Sequence, residues 1–362
     1  MPGAATKFDR SRGFSLRGVV NTAGVKVVST SALPIDLAGQ VTAALPGTVV
    51  DVPASGHVPI DRVDLADADA LVCLLLDRID AALLARAPRL RVIANCAVGY
   101  DNVDLAAATA AGVCITNTPD VLTEATAELA FTLLLACARR LGEGERMIRA
   151  GAWTGWALDQ LLGLGMAGKT LGVIGYGRIG RALARRALGF GMNVIYADPL
   201  ANGEDAKPAA PEPSGEKGRE RPLEIDEVFA TADAISLHCP LTPQTHHLVN
   251  AERLALMKPT AILVNTARGG CVDEPALVQA LRDGRIFGAA LDVYPREPEI
   301  APGLLDCPRL VLAPHIGSAT TEARTAMAQL CADAVIQVLR GDRPPNLVNH
   351  VTPQWKPWNR RS

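Results

Sequence analysis

A glycine-rich turn between two apolar runs places the strongest constraint on the fold of this chain. The stretch KTLGVIGYGRIGRALARRALGFGMNVIYADP, Lys169 to Pro199, contains the glycines Gly175, Gly177 and Gly180. In a G-x-G-x-x-G turn the first glycine permits a tight bend, the second lets a phosphate approach the backbone, and the third lets the helix pack on the strand. An apolar run precedes the glycines and a helical stretch follows them, so the segment predicts a strand, turn and helix that bind a dinucleotide.

The acid that ends the second apolar run predicts which dinucleotide is bound. Asp198 follows Gly180 by 18 residues, close to the spacing of about 20 expected for an acid that binds the ribose. A carboxylate there accepts hydrogen bonds from ribose hydroxyls and repels a 2′-phosphate. None of the next residues, Pro199, Leu200 and Ala201, is basic. We therefore expect NAD(H) rather than NADP(H). The alternative is an acid that only caps a strand in a nucleotide-free sheet.

The rest of the chain alternates β-branched runs with helical stretches, which is typical of parallel sheets covered by helices. Four runs precede the glycine turn and six belong to its domain: KVVSTS, ALVCLL, LRVIAN, VCITNT, then TLGVIG, NVIYAD, AISLHC, AILVNTA, GAALDV and LVLAP. The pattern predicts an α/β fold of two doubly wound parallel-sheet domains, Rossmann-like or flavodoxin-like, with an active-site cleft between them.

The same pattern divides the chain into a substrate-binding domain, an NAD-binding domain and two tails. We expect these at 25–119 with 317–350, at 120–316, and at 1–24 and 351–362, respectively. A last helix, Thr320 to Gly341, would return to the first domain.

Two further segments differ from the alternation. The apolar helix predicted from Leu122 to Arg140 is expected to be buried between domains or subunits. The polar, Pro/Gly-rich stretch Ala201 to Arg221 is expected to form a mobile surface loop.

Composition argues against several other classes of protein. Of 362 residues, 49% are hydrophobic and the formal net charge is -2, so the basic excess that nucleic-acid binding needs is absent. The eight cysteines form no C-x-x-C pair, which predicts no metal site and a reducing cytoplasm. No apolar run is long enough to predict a membrane span. The first residues are expected to be a disordered tail, with a transit peptide as the alternative.

Polar side chains follow three consecutive strands of the predicted nucleotide domain, where open parallel sheets bind their ligands. Arg268 lies in VNTARGG, Asp292 and Glu297 in LDVYPREPE, and His315 in APHIGSAT. Arginine can pair with the carboxylate of a 2-oxo acid and polarise its carbonyl, and histidine can protonate the developing alkoxide. Glu297 would hold the imidazole, and Asp292 would bind the nicotinamide carboxamide. The alternative for His315 is a strand-end histidine satisfied by backbone groups. The other histidines lack such neighbours and are expected to be structural: His57, His238, His246, His247 and His350.

Seven motifs in this order resemble those of the D-isomer-specific 2-hydroxyacid dehydrogenases, from about Lys26 to Asn349: NCAVGYDNVD, NTPDVLTEATAELAFTLLLACARR, GYGRIG, HCPLTPQT, NTARGG, DVYPREPE and PHIGSAT. The resemblance implies that Arg268, Glu297 and His315 are the catalytic set. It also implies that the backbone amides of Val98 and Gly99 bind the substrate carboxylate. The implied cofactor-binding residues are Thr126, Gly175, Gly177, Arg178, Ile179, Gly180, Asp198, Cys239, Pro240, Thr245, Thr266, Ala267, Asp292, His315 and Gly317.

Within this family the segment Met147 to Gly180 most resembles the glyoxylate and hydroxypyruvate reductases. This resemblance implies a homodimer that pairs through the nucleotide domains, with Trp156 reaching the neighbouring subunit's substrate site. The alternative for Trp156 is an ordinary interface or core tryptophan. Val98 is not the lysine of phosphite-oxidising relatives, and Glu297 is not the glutamine of formate dehydrogenases. The polar stretch after Ala201 departs from the family's usual segment.

These observations together predict an NADH-dependent cytoplasmic reductase of small 2-oxo acids. Glyoxylate or hydroxypyruvate would give glycolate or D-glycerate, with His315 as the general acid. One alternative is an enzyme for bulkier 2-oxo acids, which would need a roomier pocket around Leu74, Leu75 and Leu76. The other is a non-enzymatic NAD-sensing scaffold, like the corepressors that share this fold, which would not consume NADH.

Overall fold

The computed structural model describes residues 24–198, 220–349 and 351, which fall into two compact units. Unit 1 consists of the described residues of Met1–Cys96, Asn102–Asn117 and Ala328–Ser362. Unit 2 consists of those of Ala97–Asp101 and Thr118–Met327. The two predicted tails, apart from residues 24 and 351, and His350 lie outside the described residues.

Unit 1 is built on a five-stranded parallel sheet in the order β2-β1-β3-β4-β5, the strand order of flavodoxin-like folds. Its elements are β1 (Lys26–Ser29), α1 (Leu37–Ala44), β2 (Val49–Asp51), β3 (Ala70–Cys73), α2 (Ala81–Arg86), β4 (Val92–Asn95), α3 (Leu105–Ala110) and β5 (Cys114–Thr116). An aspartate caps each of the three helices by accepting a first-turn backbone N–H, namely Asp36, Asp80 and Asp104.

Unit 2 contains a seven-stranded parallel sheet in the order β12-β11-β10-β9-β6-β7-β8. Its elements are α4 (Thr123–Ala138), α5 (Leu141–Arg149), β6 (Thr170–Ile174), α6 (Arg178–Gly189), β7 (Asn193–Ala197), β8 (Glu220–Pro222), α7 (Ile225–Thr231), β9 (Ala234–Leu237), α8 (Ala251–Leu256), β10 (Ile262–Asn265), α9 (Glu274–Arg282), β11 (Gly288–Leu291), α10 (Pro302–Leu305) and β12 (Leu310–Leu312). A last helix, α11 (Thr321–Arg340), begins in unit 2 and ends in unit 1.

The order of the strands in unit 2 places the glycine turn at the point where the chain changes direction across the sheet. From β6 the chain winds outward through β7 to β8, then returns to β9 on the other side of β6. At such a switch point the carboxyl ends of the two central strands separate and leave room for a ligand. The strands β6, β9, β10 and β11 are almost entirely buried, as expected for a parallel sheet covered by helices on both faces.

All ten predicted strands are present, and two short edge strands were missed. β2 is three residues long and mostly exposed, so it carries no run of buried β-branched residues. β8 pairs with β7 at the other sheet's edge and contains Glu220 and Arg221, so the prediction of a loop to Arg221 was wrong at its end. β8 ends at Pro222. Because β8 is an edge strand, the missing N–H of this proline is tolerated. Residues 201–219 of that stretch lie outside the described residues.

The structural units differ from the predicted domains at three segments. Residues 97–101, 118–119 and 317–327 belong to unit 2, whereas the sequence pattern predicts all three in the substrate-binding domain. The first is held by hydrogen bonds to unit 2, including Thr118 N–H to the Ala97 carbonyl oxygen at 2.9 Å. The functional division into substrate-binding and NAD-binding domains stays a prediction. No helix among the described residues has the length and apolar character to cross a membrane.

Candidate active site

The sheet topology of unit 2 brings the predicted catalytic side chains to one edge. Arg268 follows β10, Glu297 follows β11 and His315 follows β12, and these three strands are consecutive neighbours in the sheet. Because the strands are parallel, their carboxyl ends lie on the same side. The alternation of strands and helices therefore determines that the three functional groups share one edge.

His315 and Glu297 form a direct pair. The imidazole Nδ1 lies 2.7 Å from Oε2 of Glu297, and the other carboxylate oxygen accepts the N–H of Tyr294 at 2.9 Å. Burial raises the pKa of Glu297, but the bonds from His315 and Tyr294, with the charges of His315 and Arg268, outweigh it and leave this pKa below its usual value. The carboxylate is therefore ionised at neutral pH. With Nδ1 engaged, Nε2 is the imidazole nitrogen that can exchange a proton with a ligand.

Asp292 holds the turn that carries His315. Its buried carboxylate accepts the N–H of Ile316 at 2.7 Å and the N–H of Gly317 at 2.8 Å, one on each oxygen. Burial raises the pKa of Asp292 above its usual value, although the two hydrogen bonds act in the opposite direction. His315 itself has a φ of 52°, a left-handed conformation that non-glycine residues rarely adopt. Asp292 thus has a structural task that the sequence analysis did not foresee, and its contact with nicotinamide stays a prediction.

Arg268 is held by its backbone and by its side chain. The fully buried Asn265 accepts the N–H of Ala267 at 3.0 Å and donates to the carbonyl oxygen of Arg268 at 2.9 Å. The guanidinium Nε donates to Oδ1 of Asp101 at 2.9 Å, and Nη1 donates to the Ala267 carbonyl oxygen at 2.8 Å. The guanidinium therefore lies against loop 97–101, which contains the predicted substrate-binding residues Val98 and Gly99.

The three motif glycines meet the geometric demands of a dinucleotide turn. Gly175 has a φ of 91°, and a β-carbon there would lie 2.6 Å from the backbone nitrogen of Cys239. A β-carbon at Gly180 would lie 2.3 Å from the carbonyl oxygen of Gly175, so only glycine lets α6 pack this close to β6. At Gly177 no heavy atom lies within 4 Å of the same position. Gly177 is also the N-cap of α6 and lacks a capping side chain, so the first-turn N–H groups suit a pyrophosphate.

Two polar side chains support the same assignment. Asp198 follows β7, and its Oδ2 lies 3.2 Å from the backbone nitrogen of Tyr176, which donates to it from within the glycine turn. The hydroxyl of Thr266, at the end of β10, is buried and has no protein hydrogen-bond partner among the described residues. An unsatisfied buried hydroxyl at the ligand-binding edge of the sheet fits a group that accepts or donates a bond there. The residues present therefore fit a bound dinucleotide.

The remaining predicted cofactor residues are spread over the same edge of unit 2. Thr126 of α4 is buried, 3.4 Å from the position of a β-carbon on Gly317. Arg178 pairs with Asp120 at 2.6 Å, and Ile179 is the next residue of α6. Thr245 is fully buried, and its hydroxyl donates to the Pro240 carbonyl oxygen at 2.6 Å. Thr245 therefore stabilises the turn after β9.

Two further predicted cofactor residues, Cys239 and Ala267, are buried. Cys239 lies beside the thiol of Cys271; a hydrogen bond to Cys271 and burial both raise the pKa of Cys239. Ala267 precedes Arg268 and is buried. Among the described residues no group of three or more His, Cys, Asp or Glu side chains is arranged to hold a metal ion.

Trp156 is not brought together with the other predicted site residues. It is 81% exposed, in the segment after α5, where Trp153, Leu158 and Leu162 are exposed as well. Within the part of the chain that the structure describes, the Trp156 ring stacks on no other aromatic ring.

The other described histidines have partners outside the predicted catalytic set. His57 Nε2 lies 2.9 Å from Oδ1 of Asp77, and His238 Nε2 lies 2.9 Å from the hydroxyl of Ser236. The rings of His246 and His247 stack on each other.

Sequence reasoning missed three residues that contact the predicted catalytic set: Asp101, Asn265 and Tyr294. Each lies in a motif that the sequence analysis quotes, NCAVGYDNVD, VNTARGG or DVYPREPE. Their contacts are to backbone groups, to the carboxylate of Glu297 three residues along the chain, or to a side chain 167 residues away. Asp101 is the one carboxylate of loop 97–101, and its charge beside the predicted substrate-binding amides was the available signal.

A dinucleotide fold with an arginine and a paired carboxylate and imidazole at adjoining strand ends belongs to the nicotinamide-dependent dehydrogenases as a class. Residues 131–317 match the family described as D-isomer specific 2-hydroxyacid dehydrogenase, NAD binding domain. A glyoxylate reductase of Thermococcus litoralis is 50% identical over 287 residues, which cover 78% of this chain and 84% of the relative.

Solved structures agree with the sequence comparison. The TT0316 protein of Thermus thermophilus has a TM-score of 0.80 and 43% identity, and the match covers 90% of this chain and 100% of that protein. An NADPH-dependent glyoxylate/hydroxypyruvate reductase from Sinorhizobium meliloti, in complex with NADP and malonate, has a TM-score of 0.75 and 31% identity, and the match covers 91% and 98%. The chain belongs to the D-isomer-specific 2-hydroxyacid dehydrogenase family, and it is an NAD-binding oxidoreductase that acts on the CH–OH group. The predicted family, the two parallel-sheet α/β domains, the enzyme class and an NAD(H) cofactor are confirmed, whereas the preference for NADH over NADPH and the active-site cleft between the domains stay predictions.

Proposed function

We propose that this enzyme reduces glyoxylate, and also hydroxypyruvate, to the corresponding 2-hydroxy acid, glycolate or D-glycerate, with NADH as the reductant and His315 as the general acid. The observation that carries the proposal is the 2.7 Å pair of His315 and Glu297. These residues follow β12 and β11, and Arg268 follows β10, the next strand in the sheet. The similarity to glyoxylate reductases supports the choice of a small substrate.

Each group of this chain has a defined task in that reaction. Arg268 and the backbone amides of Val98 and Gly99 bind the substrate carboxylate, and the guanidinium polarises the 2-oxo group. The glycine turn and Asp198 would hold NADH, which would supply the hydride that the carbonyl carbon receives. His315 gives the Nε2 proton to the carbonyl oxygen as negative charge develops there, and takes a proton from solvent afterwards. Glu297 keeps Nδ1 protonated, orients the ring and stabilises the imidazolium form before transfer.

The preference for NADH rests on Asp198. Its carboxylate lies just after β7 beside the glycine turn, as the bond from Tyr176 indicates. An anionic carboxylate at this place would repel the 2′-phosphate of NADPH and accept bonds from ribose hydroxyls. The Sinorhizobium meliloti relative is NADPH-dependent, so the preference varies within this fold and needs its own measurement.

A homodimer is the proposed assembly. The segment from α5 to β6 exposes a group of large apolar side chains in the single chain: Leu141, Ile148, Trp153, Trp156, Leu158 and Leu162. Exposed apolar groups of this size are typical of a subunit interface. The resemblance to the glyoxylate and hydroxypyruvate reductases supports the same assembly, with Trp156 at the partner's substrate site. Light scattering coupled to size exclusion measures the oligomeric state, and a monomer would refute this part.

Steady-state kinetics test the proposed activity. Absorbance of the reduced cofactor is followed with glyoxylate, hydroxypyruvate and a bulkier branched 2-oxo acid, each with NADH and with NADPH. We expect the highest kcat/KM for glyoxylate or hydroxypyruvate with NADH. A tenfold or greater preference for NADPH would refute the cofactor choice, and a higher kcat/KM for the branched acid would refute the substrate choice.

A further inference from the structure

Asp101 contacts the guanidinium of Arg268 across 167 residues of sequence. The bond runs from Nε to Oδ1 over 2.9 Å, and the side chains of Arg268 and Asp101 are 25% and 40% exposed, respectively. An ion pair this accessible to solvent contributes little to folding stability, on the order of 0 to 1 kcal/mol. The contact is therefore of more consequence for where the guanidinium points than for the stability of unit 2.

Gly99 lies against the Nη2 side of the guanidinium and leaves room for it because it has no side chain. A β-carbon at Gly99 would lie 1.6 Å from Nη2 and 2.7 Å from the guanidinium carbon. Any side chain at this position would occupy the space that Arg268 now fills. The same point lies 3.1 Å from Oδ1 of Asp101, so loop 97–101 provides both the clearance and the anchor.

Three contacts fix the orientation of the guanidinium, a planar group with five N–H donors. Nε is directed to Asp101 and Nη1 to the Ala267 carbonyl oxygen, and Nη2 lies against Gly99. An arginine side chain with free torsions loses substantial conformational entropy when a ligand must order it. Here the protein has ordered the group beforehand, and pre-organisation of this kind raises affinity and rate.

We propose that Asp101 is a positioning residue for Arg268, which it holds so that the Nη2 edge faces the loop amides and forms one carboxylate-binding site with them. The inference rests on the proposed function, because it concerns the carboxylate of the 2-oxo acid. Asp101 also balances the charge of Arg268. The substrate carboxylate is then bound through directed N–H groups rather than by net charge, which suits monocarboxylates.

Two substitutions separate orientation from charge. Asp101→Ala removes the acceptor of Nε. The bond from Nη1 to the Ala267 carbonyl oxygen then no longer suffices to orient the guanidinium, and KM for glyoxylate rises at least tenfold. Asp101→Asn keeps an amide oxygen that can accept from Nε while it removes the charge, so KM stays within about threefold of wild type. The KM for NADH is unchanged in both variants, because Asp101 acts only through Arg268. Oxamate is an analogue of small 2-oxo acids that is not reduced. Its inhibition constant should change in parallel with the KM for glyoxylate.

A matched control is present in the same unit. Arg253 Nε donates to Asp226 Oδ1 over 2.8 Å, and the side chains of Arg253 and Asp226 are 27% and 64% exposed. This ion pair therefore resembles that of Arg268 in its geometry and in the burial of its arginine. Asp226→Ala removes an equivalent ion pair between α7 and α8 and is expected to leave both KM values at wild-type level. Thermal melting and NADH binding by fluorescence verify that each variant is folded, and Asp101→Ser replaces Asp101→Ala if the latter is not.

The outcomes are decisive for the inference. A wild-type KM in Asp101→Ala would overturn it, and so would an equal rise of KM in Asp101→Ala and Asp101→Asn, which would assign the effect to charge. If the wild-type enzyme reduces none of the 2-oxo acids tested, the proposed function fails instead. The wild-type assay and the comparison of variants therefore distinguish the two failures.

Discussion

The hydroxyl of Tyr294 donates to the carbonyl oxygen of Ala313 over 2.9 Å, two residues before His315. The same hydroxyl lies 3.2 Å from the carbonyl oxygen of Leu291 at the end of β11. One buried side chain thus joins the ends of β11 and β12, while its backbone N–H contacts Glu297. Burial raises the pKa of Tyr294 to about 12, so the hydroxyl remains a donor at every working pH.

Replacing Tyr294 with phenylalanine tests this link. The loss of the hydroxyl leaves two carbonyl oxygens without it, and the free energy of unfolding should fall by about 1 kcal/mol. We expect kcat for glyoxylate to fall several-fold because the turn that carries His315 is less constrained, with KM for NADH unchanged. Urea denaturation and steady-state kinetics measure the two effects. If the phenylalanine variant had wild-type stability and wild-type kcat, the hydroxyl would not constrain the turn that carries His315.

Glu297→Gln tests the carboxylate that orients the imidazole. The amide is isosteric but uncharged, so it neither stabilises the imidazolium form nor enforces the Nδ1–H tautomer. We expect kcat to fall roughly 100-fold, with little change in NADH affinity. Because its pKa lies below the usual value, the wild-type carboxylate stays ionised into the acid range, and its contribution is lost only as pH falls through that lowered pKa. A variant with wild-type kcat would remove Glu297 from the mechanism.

Two glycine substitutions in the same turn should have different effects. At Gly177 an added β-carbon meets no protein atom within 4 Å, so Gly177→Ala should fold normally but raise KM for NADH about tenfold by obstructing the pyrophosphate. At Gly180 the β-carbon would lie 2.3 Å from a carbonyl oxygen, so Gly180→Ala should lower stability by roughly 1 to 3 kcal/mol. Thermal melting and NADH titration compare the pair. The prediction fails if Gly177→Ala binds NADH as wild type does.

His238 gives an acid-dependent contribution to stability. Desolvation lowers its pKa to about 3, below the ordinary value of about 6.5 in an unfolded chain. The unfolded state therefore binds the proton more readily, so stability is complete above about pH 6.5 and is lost as pH falls toward 3. In urea denaturation at several pH values, His238→Gln should show a smaller loss over this range, and exposed His246→Gln serves as the control. Equal pH profiles for His238→Gln and wild type would contradict the assignment.

The sequence predicted those parts of the fold that carry buried, repeated patterns. Strands such as β4 and β10 are nearly continuous apolar runs, because both faces of their sheets are covered. The edge strands β2 and β8 lack that signal, because they are short and largely exposed. Their position follows from pairing with a neighbour, which a local pattern does not encode.

The same distinction applies to the site. Arg268 and His315 were identified because they follow strands, where topology alone brings side chains together. The positioning roles of Asp101 and Tyr294 depend on contacts with a distant guanidinium and with backbone carbonyl oxygens. Such contacts leave no periodic trace in the sequence. The left-handed conformation of His315 likewise follows from the bonds that Asp292 makes to the next two residues, not from the residue type.

The most direct test of the account is the turnover of His315→Ala with glyoxylate and NADH, compared with wild type. If His315 supplies the proton, kcat should fall by roughly 10² to 10⁴-fold, while the dissociation constant for NADH, measured by fluorescence, stays within about twofold. Near-normal turnover in the variant would contradict the central claim, because the carbonyl oxygen would then receive its proton from another group.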